Sequence, residues 1–105
     1  YVPPHRHRNK SESFHVIEGR LLVVFFDEQG TVTGKMEMAP LAEGKTFFYR
    51  LNTEQWHTVV PLTEFVIIHE TTPGPFKKEE SDFPAWAPAA ADEAAIRKFI
   101  RQITG

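Results

Sequence analysis

The sequence predicts an all-β domain that ends in one α-helix. Up to Thr72 the apolar residues come in short runs separated by turn residues, and after Ala89 they recur with a helical period. Seven short strands at such spacing point to a sandwich or a barrel. A charged, proline-containing stretch joins the two regions. Residues 1–88 therefore read as the β unit and 89–105 as a helix packed on it.

The elements follow in order. Residues 2–7 are extended, held so by Pro3 and Pro4, which suit an edge or a strand start. On the next strand Glu12, Phe14 and Val16 share one face, and Ser13, His15 and Ile17 share the other. Gly19 ends that strand where a tight turn wants positive φ. Leu21 to Phe26 is apolar on both faces, as in a wall covered on both sides, and Asp27-Glu28-Gln29-Gly30 is a hairpin turn. Val32, Met36 and Met38 alternate in a weaker strand interrupted by Gly34. Residues 45–49, 56–61 and 65–70 supply three more strands. Pro73-Gly74-Pro75 forces an irregular path. The helix is predicted over 89–103, where Ile96, Phe99, Ile100 and Ile103 form one stripe. Asp92 and Glu93 sit near its start and Lys98 and Arg101 near its end, as the macrodipole favours. Because Tyr1 falls in what reads as mid-strand, a further N-terminal segment is expected before it.

With 105 residues, 41% of them hydrophobic and 25% charged, the chain has material for one core and not two. A net charge of −2 gives no global field for nucleic acid. The longest apolar run, Leu21 to Phe26, is too short to span a bilayer. Neither nucleic acid nor membrane is an expected partner. With no export signal visible, the cytoplasm is favoured. Cysteine is absent, so any metal site must be built from His and carboxylate.

His5-Arg6-His7 is the most informative run. Two imidazoles two residues apart on an extended strand point to one face, about 6.6 Å apart along the chain, and can converge on one ion. Glu12 follows the turn Arg8-Asn9-Lys10-Ser11 and is expected to return beside them on the antiparallel neighbour. One hairpin would then present nitrogen and oxygen donors suited to a first-row divalent metal.

The spacing His-x-His-x4-Glu-x6-Gly, from His5 to Gly19, resembles the first signature motif of the cupin superfamily. Pro3-Pro4-His5-Arg6-His7, the run from Glu18-Gly19 to Phe26-Asp27, the segment from Gln55 to Val60, and Trp86-Ala87-Pro88 look like the WbuC-type cupin metalloproteins. This similarity covers most of residues 1–88. It implies a small cupin barrel (a jelly roll, or double-stranded β-helix) with one metal inside. It also implies a link to surface polysaccharide synthesis, and so to a carbohydrate-related substrate. The resemblance brings in His57, which follows Gly44 in the region of the second cupin motif. There the chain departs from the usual pattern. Arg50 and Asn52 stand at the Pro and Gly positions, His57 comes two residues late, and Pro61 replaces Asn. The expected ligands are His5, His7, Glu12 and His57 around one divalent ion, and iron, manganese, nickel, cobalt and zinc all suit such a set. In octahedral geometry two positions stay open for water, a bidentate substrate or dioxygen.

His15 lies opposite Glu12 by strand parity and reads as a packing or surface residue. His69, on a face with Phe65 and Ile67, reads either as a hydrogen-bonded core histidine or, with its neighbour Glu70, as a candidate for acid–base catalysis. Gln55 shares parity with His57 and, with Tyr49, Arg50 and Phe76, is a candidate substrate contact. Arg6, Arg8, Lys10 and Arg50 would form a basic rim that is either simply solvated or favourable to an anion such as a sugar nucleotide, sugar acid or keto acid. Two functions fit. One is a metal-dependent enzyme acting on a small polar molecule by isomerisation, epimerisation or oxygen chemistry. The alternative is a non-catalytic ligand-binding module whose metal anchors the ligand or the fold. A cavity with an ionisable residue beside the ion marks the enzyme, and a closed four-ligand site marks the module. The apolar surface of Leu21 to Phe26 exceeds what a barrel interior needs, so a homodimer is expected.

Overall fold

The computed structural model describes residues 1–8, 10–51, 54–75 and 81–105. Its strands are β1 (Arg6–His7), β2 (Glu12–Glu18), β3 (Leu21–Phe26), β4 (Val32–Met38), β5 (Phe48–Leu51), β6 (Trp56–Pro61), β7 (Ile67–Thr71) and β8 (Ser81–Asp82). One helix, α1 (Glu93–Thr104), closes the chain. The strands form three small antiparallel sheets, ordered β5-β2-β7, β4-β3-β6 and β1-β8. The molecule is thus mostly β, with one C-terminal helix, as its residue pattern predicts.

The alternation on β2 sets the interior. Glu12, Phe14 and Val16 are buried, whereas His15 and Ile17 face solvent. Phe14 and Val16, with Leu51 of β5, meet Leu21 and Val23 of β3 and Met38 of β4 in one cluster between the two three-stranded sheets. The opposite face of β3 is covered as well. Val24 and Phe26 join Trp56, Val60 and Ile103 in a second cluster, with Phe99 and Ile100 packed against it. The predicted helical stripe therefore docks on the outer face of β4-β3-β6. The apolar surplus on β3 that argued for a homodimer is occupied by the chain's own helix.

Three expectations are corrected. The hairpin between the His5–His7 segment and β2 does not form. β1 pairs with β8 (Arg6 opposite Asp82, His7 opposite Ser81), and His5 bridges His57 of β6. β2 instead lies between β5 and β7, which satisfies both its edges while its Glu12-Phe14-Val16 face turns to the core. The helix starts at Glu93, not 89. Alanines 89–91 have helical propensity, but Asp92 is the N-cap and its carboxylate accepts the Ala95 N–H at 3.1 Å. Finally, β5 and β7 begin two to three residues later than the runs at 45–49 and 65–70 predict. A parallel bridge from Met38 to Thr46 holds the chain ahead of β5.

Gly19 has φ +84°, and a Cβ there would sit 2.5 Å from the Phe65 carbonyl oxygen and 2.7 Å from Thr63 Oγ1. Gly19→Ala is expected to cost at least ~1–2 kcal/mol through left-handed strain alone. Urea unfolding should show a lower midpoint at unchanged slope. An unchanged midpoint would mean the turn relaxes freely. Among the described residues no helix is long and apolar enough to cross a membrane.

Candidate metal centre

Strand geometry gathers four side chains from three separate stretches. His5 and His7 come from the start of the chain, His57 from β6, and Glu12 from β2 in the facing sheet. Each offers one donor atom, and the four atoms lie within 4.8 Å of one another. They could hold a metal ion. The His5 ring centroid is 4.9 Å from that of His7 and 4.4 Å from that of His57. Glu12 and His57 are 5% and 1% exposed, so both are withdrawn from bulk water.

Each imidazole is tied off on its Nδ1 side. His5 Nδ1 meets the Pro3 carbonyl at 2.8 Å, His57 Nδ1 the Gln55 carbonyl at 2.8 Å, and His7 Nδ1 the Ser81 hydroxyl at 3.0 Å. A carbonyl only accepts, so on a neutral His5 or His57 the proton resides on Nδ1 and Nε2 carries a lone pair. Such outer partners orient ligating histidines and fix their tautomers. His57 Nε2 faces Glu12 Oε2 at 3.2 Å, and His7 Nε2 lies 3.0 Å from Glu12 Oε1. The latter approach misses hydrogen-bond direction, which leaves His7 Nε2 buried without a hydrogen-bond partner. The lone pair of a neutral His57 face to face with the Glu12 carboxylate requires a cation between them, either a proton or a metal. Donors of this type bind a transition metal at about 2.0–2.2 Å, so opposite donors on one ion are about 4.2 Å apart. The widest donor pair would close by about 0.6 Å to sit on opposite sides of one ion, and the donor types fit the group.

Local electrostatics prepare the set. Burial holds His5 below the usual imidazole value, aided by His57. Burial also lowers His7, with Glu12 pulling partly the other way. Burial raises the Glu12 carboxyl, but hydrogen bonding to His57 and Glu70 and the charges of His7 and His57 outweigh it and bring it to about 2. Glu70 is pushed up to about 7 by its hydrogen bond with Glu12, by burial and by the Glu12 charge. Burial thus holds His5 and His7 below the ordinary imidazole value, which lessens the competition of protons with a metal. Affinity is expected to weaken on acidification as the imidazoles take up protons. An affinity that does not fall at low pH would contradict ligation by imidazole. Ser81→Ala, which frees His7 Nδ1, is expected to lower metal affinity about 10- to 100-fold with little change in folding stability. Equal affinities in a chelator-competition titration would remove Ser81 from the site.

The donors open onto a cavity of about 530 Å³ that also takes in Lys10, Glu70 and Thr72 together with Val2, Phe14, Val59 and Ile68. Glu70 is thus in the cavity, while His69 is not. It is exposed, opposite His15 across β2 and β7, on the same outer face as Ile67. Arg50 is exposed on β5, opposite Ser13, and donates to Ser11 Oγ at 3.3 Å, away from the donors. Tyr49 packs against the inter-sheet core, 6.0 Å from the Phe25 ring. Gln55 turns its amide to the Phe26 carbonyl at 2.7 Å, and its contribution is the carbonyl that holds His57. Phe76 and Asn52 lie outside the described residues. The basic rim is largely neutralised. Arg6 pairs with Glu28 at 3.1 Å and Asp82 at 3.2 Å while stacking on Trp56, and Arg8 reaches Asp82 at 3.4 Å. Ser81 and the carbonyls of Pro3 and Gln55 are the supporting groups that the residue pattern does not reveal.

A family model described as a domain of unknown function (DUF6016) matches residues 1–38. That span holds His5, His7, Glu12 and Gly19 but stops before His57. Comparison with curated proteins and with solved structures found no match. The chain is similar to the DUF6016 family over about a third of its length.

Proposed function

We propose that this is a mononuclear metalloprotein of cupin type that binds a small polar molecule at its ion and transforms it. The observation that carries the reading is the convergence of three Nε2 atoms and the Glu12 carboxylate, with each Nδ1 already engaged. A divalent ion there supplies Lewis acidity, or a redox centre if it is iron, manganese or cobalt. That suits isomerisation, epimerisation or oxygen chemistry, and the WbuC-type resemblance points to a carbohydrate-related substrate. The chain's own residues would hold the ion through His5, His7, His57 and Glu12, and Phe14 and Val59 line the same cavity with hydrocarbon. Glu70 is the carboxyl in the cavity outside the donor set, and it is placed to hold or move a proton. An ionisable group in a cavity shared with the donors favours the enzyme over a purely structural metal.

The test is elemental analysis of protein purified without affinity metals or chelators, followed by turnover assays with the metal found. About one divalent transition ion per chain is expected. Protein that is metal-free as isolated, and that takes up none of the five candidate ions on titration, would overturn the reading. Any homodimer is proposed to use the outer face of β5-β2-β7, where Ile17, Phe48 and Ile67 are exposed, since β3 is covered. Sedimentation at the monomer mass of 12.0 kDa would exclude it.

A further inference from the structure

We propose that the molecule taken at this centre is a compact 2-hydroxy or 2-oxo carboxylic acid with an apolar body, and not a polyhydroxylated sugar. The inference rests on the metal reading above and departs from its carbohydrate-related substrate. The strand register carries it. Side chains two apart on a strand share a face. Two residues beyond Glu12 on β2 stands Phe14, and two beyond His57 on β6 stands Val59. On β7 Ile68 lies two before Glu70 and opposite Val16, one row deeper than the pair of Phe14 and Glu70. Phe14, Val59 and Ile68 all line the cavity that holds the donors. Three strands from both sheets thus lay a hydrocarbon floor beside the metal position.

A chelating acid fits this layout. Its carboxylate and adjacent oxygen go to the ion, and Lys10 lines the same cavity, close enough that its charge acts on His7 and Glu70. The remainder of the molecule then rests on Phe14, Val59 and Ile68. Sugar hydroxyls pressed onto those side chains would lose water without gaining a partner. A branched aliphatic body would gain from the same contact. The volume of about 530 Å³ is ample for a six-carbon acid.

The test uses cobalt(II)-loaded protein, titrated by visible absorption with 2-hydroxy-4-methylpentanoate and, separately, with gluconate. Both acids carry a carboxylate and a 2-hydroxyl, so they differ only in the body of the molecule. The aliphatic acid is expected to bind at least tenfold more tightly. Ile68→Ser, and independently the near-isosteric Val59→Thr, should each shrink that ratio several-fold. Equal or tighter gluconate binding would overturn the proposal, as would a ratio unchanged in both variants. Metal uptake is read before any acid is added, and failure to take up cobalt or any of the other four candidate ions would overturn the metal reading together with this one.

Discussion

Replacing His57 with alanine is expected to take the protein from about one bound metal ion per chain to almost none. His57 is the hub of the cluster. Its backbone bridges His5 in both directions, at 2.9 and 3.0 Å, so one residue fixes the strand that carries His5 and supplies its own Nε2. It is also the donor that faces Glu12 Oε2. Loss of a ligand should exceed the 10- to 100-fold effect typical of outer-shell partners, so a fall in affinity beyond about 10³ is expected. Retained stoichiometry with affinity within tenfold of the parent would show that the ion sits elsewhere.

Phe26→Ala is expected to cost about 3–5 kcal/mol, a large share of the 5–15 kcal/mol typical of a small domain. Phe26 is 1% exposed, with its ring centroid 4.9 Å from that of Trp86 and 5.9 Å from that of Phe99. It joins β3, the segment after β8, and α1 at one point. Urea unfolding followed by circular dichroism would show the midpoint fall. A loss below about 1 kcal/mol would mean that the helix is not anchored through this ring.

The parts legible in the residues are those with a local period. The alternation of Glu12, Phe14 and Val16, the double-faced run of β3 and the stripe from Ile96 to Ile103 each state their own burial, and each is buried as stated or nearly so. Strand pairing is non-local, and there the reading failed. Nothing near His5-Arg6-His7 says that its partner is Ser81-Asp82, more than seventy residues away, or that Glu12 arrives from the opposite sheet. The β7 parity grouped His69 correctly with Phe65 and Ile67, but not which face turns inward. Phe65 and Ile67 are large and apolar yet 59% and 44% exposed. The orientation is set by the pairing with β2, whose register shifts between Val16 and Glu18. The pairing of the basic rim is illegible for a related reason. A count of cations does not include Glu28 and Asp82, which fold back onto Arg6 and Arg8.

X-ray absorption at the edge of the bound metal tests the central claim most directly. The account expects three imidazole nitrogens, with their outer-ring scattering, and one carboxylate oxygen at about 2.0–2.2 Å, with the edge absorption almost lost in His57→Ala. A spectrum lacking imidazole scattering, or one unchanged by that substitution, would contradict it.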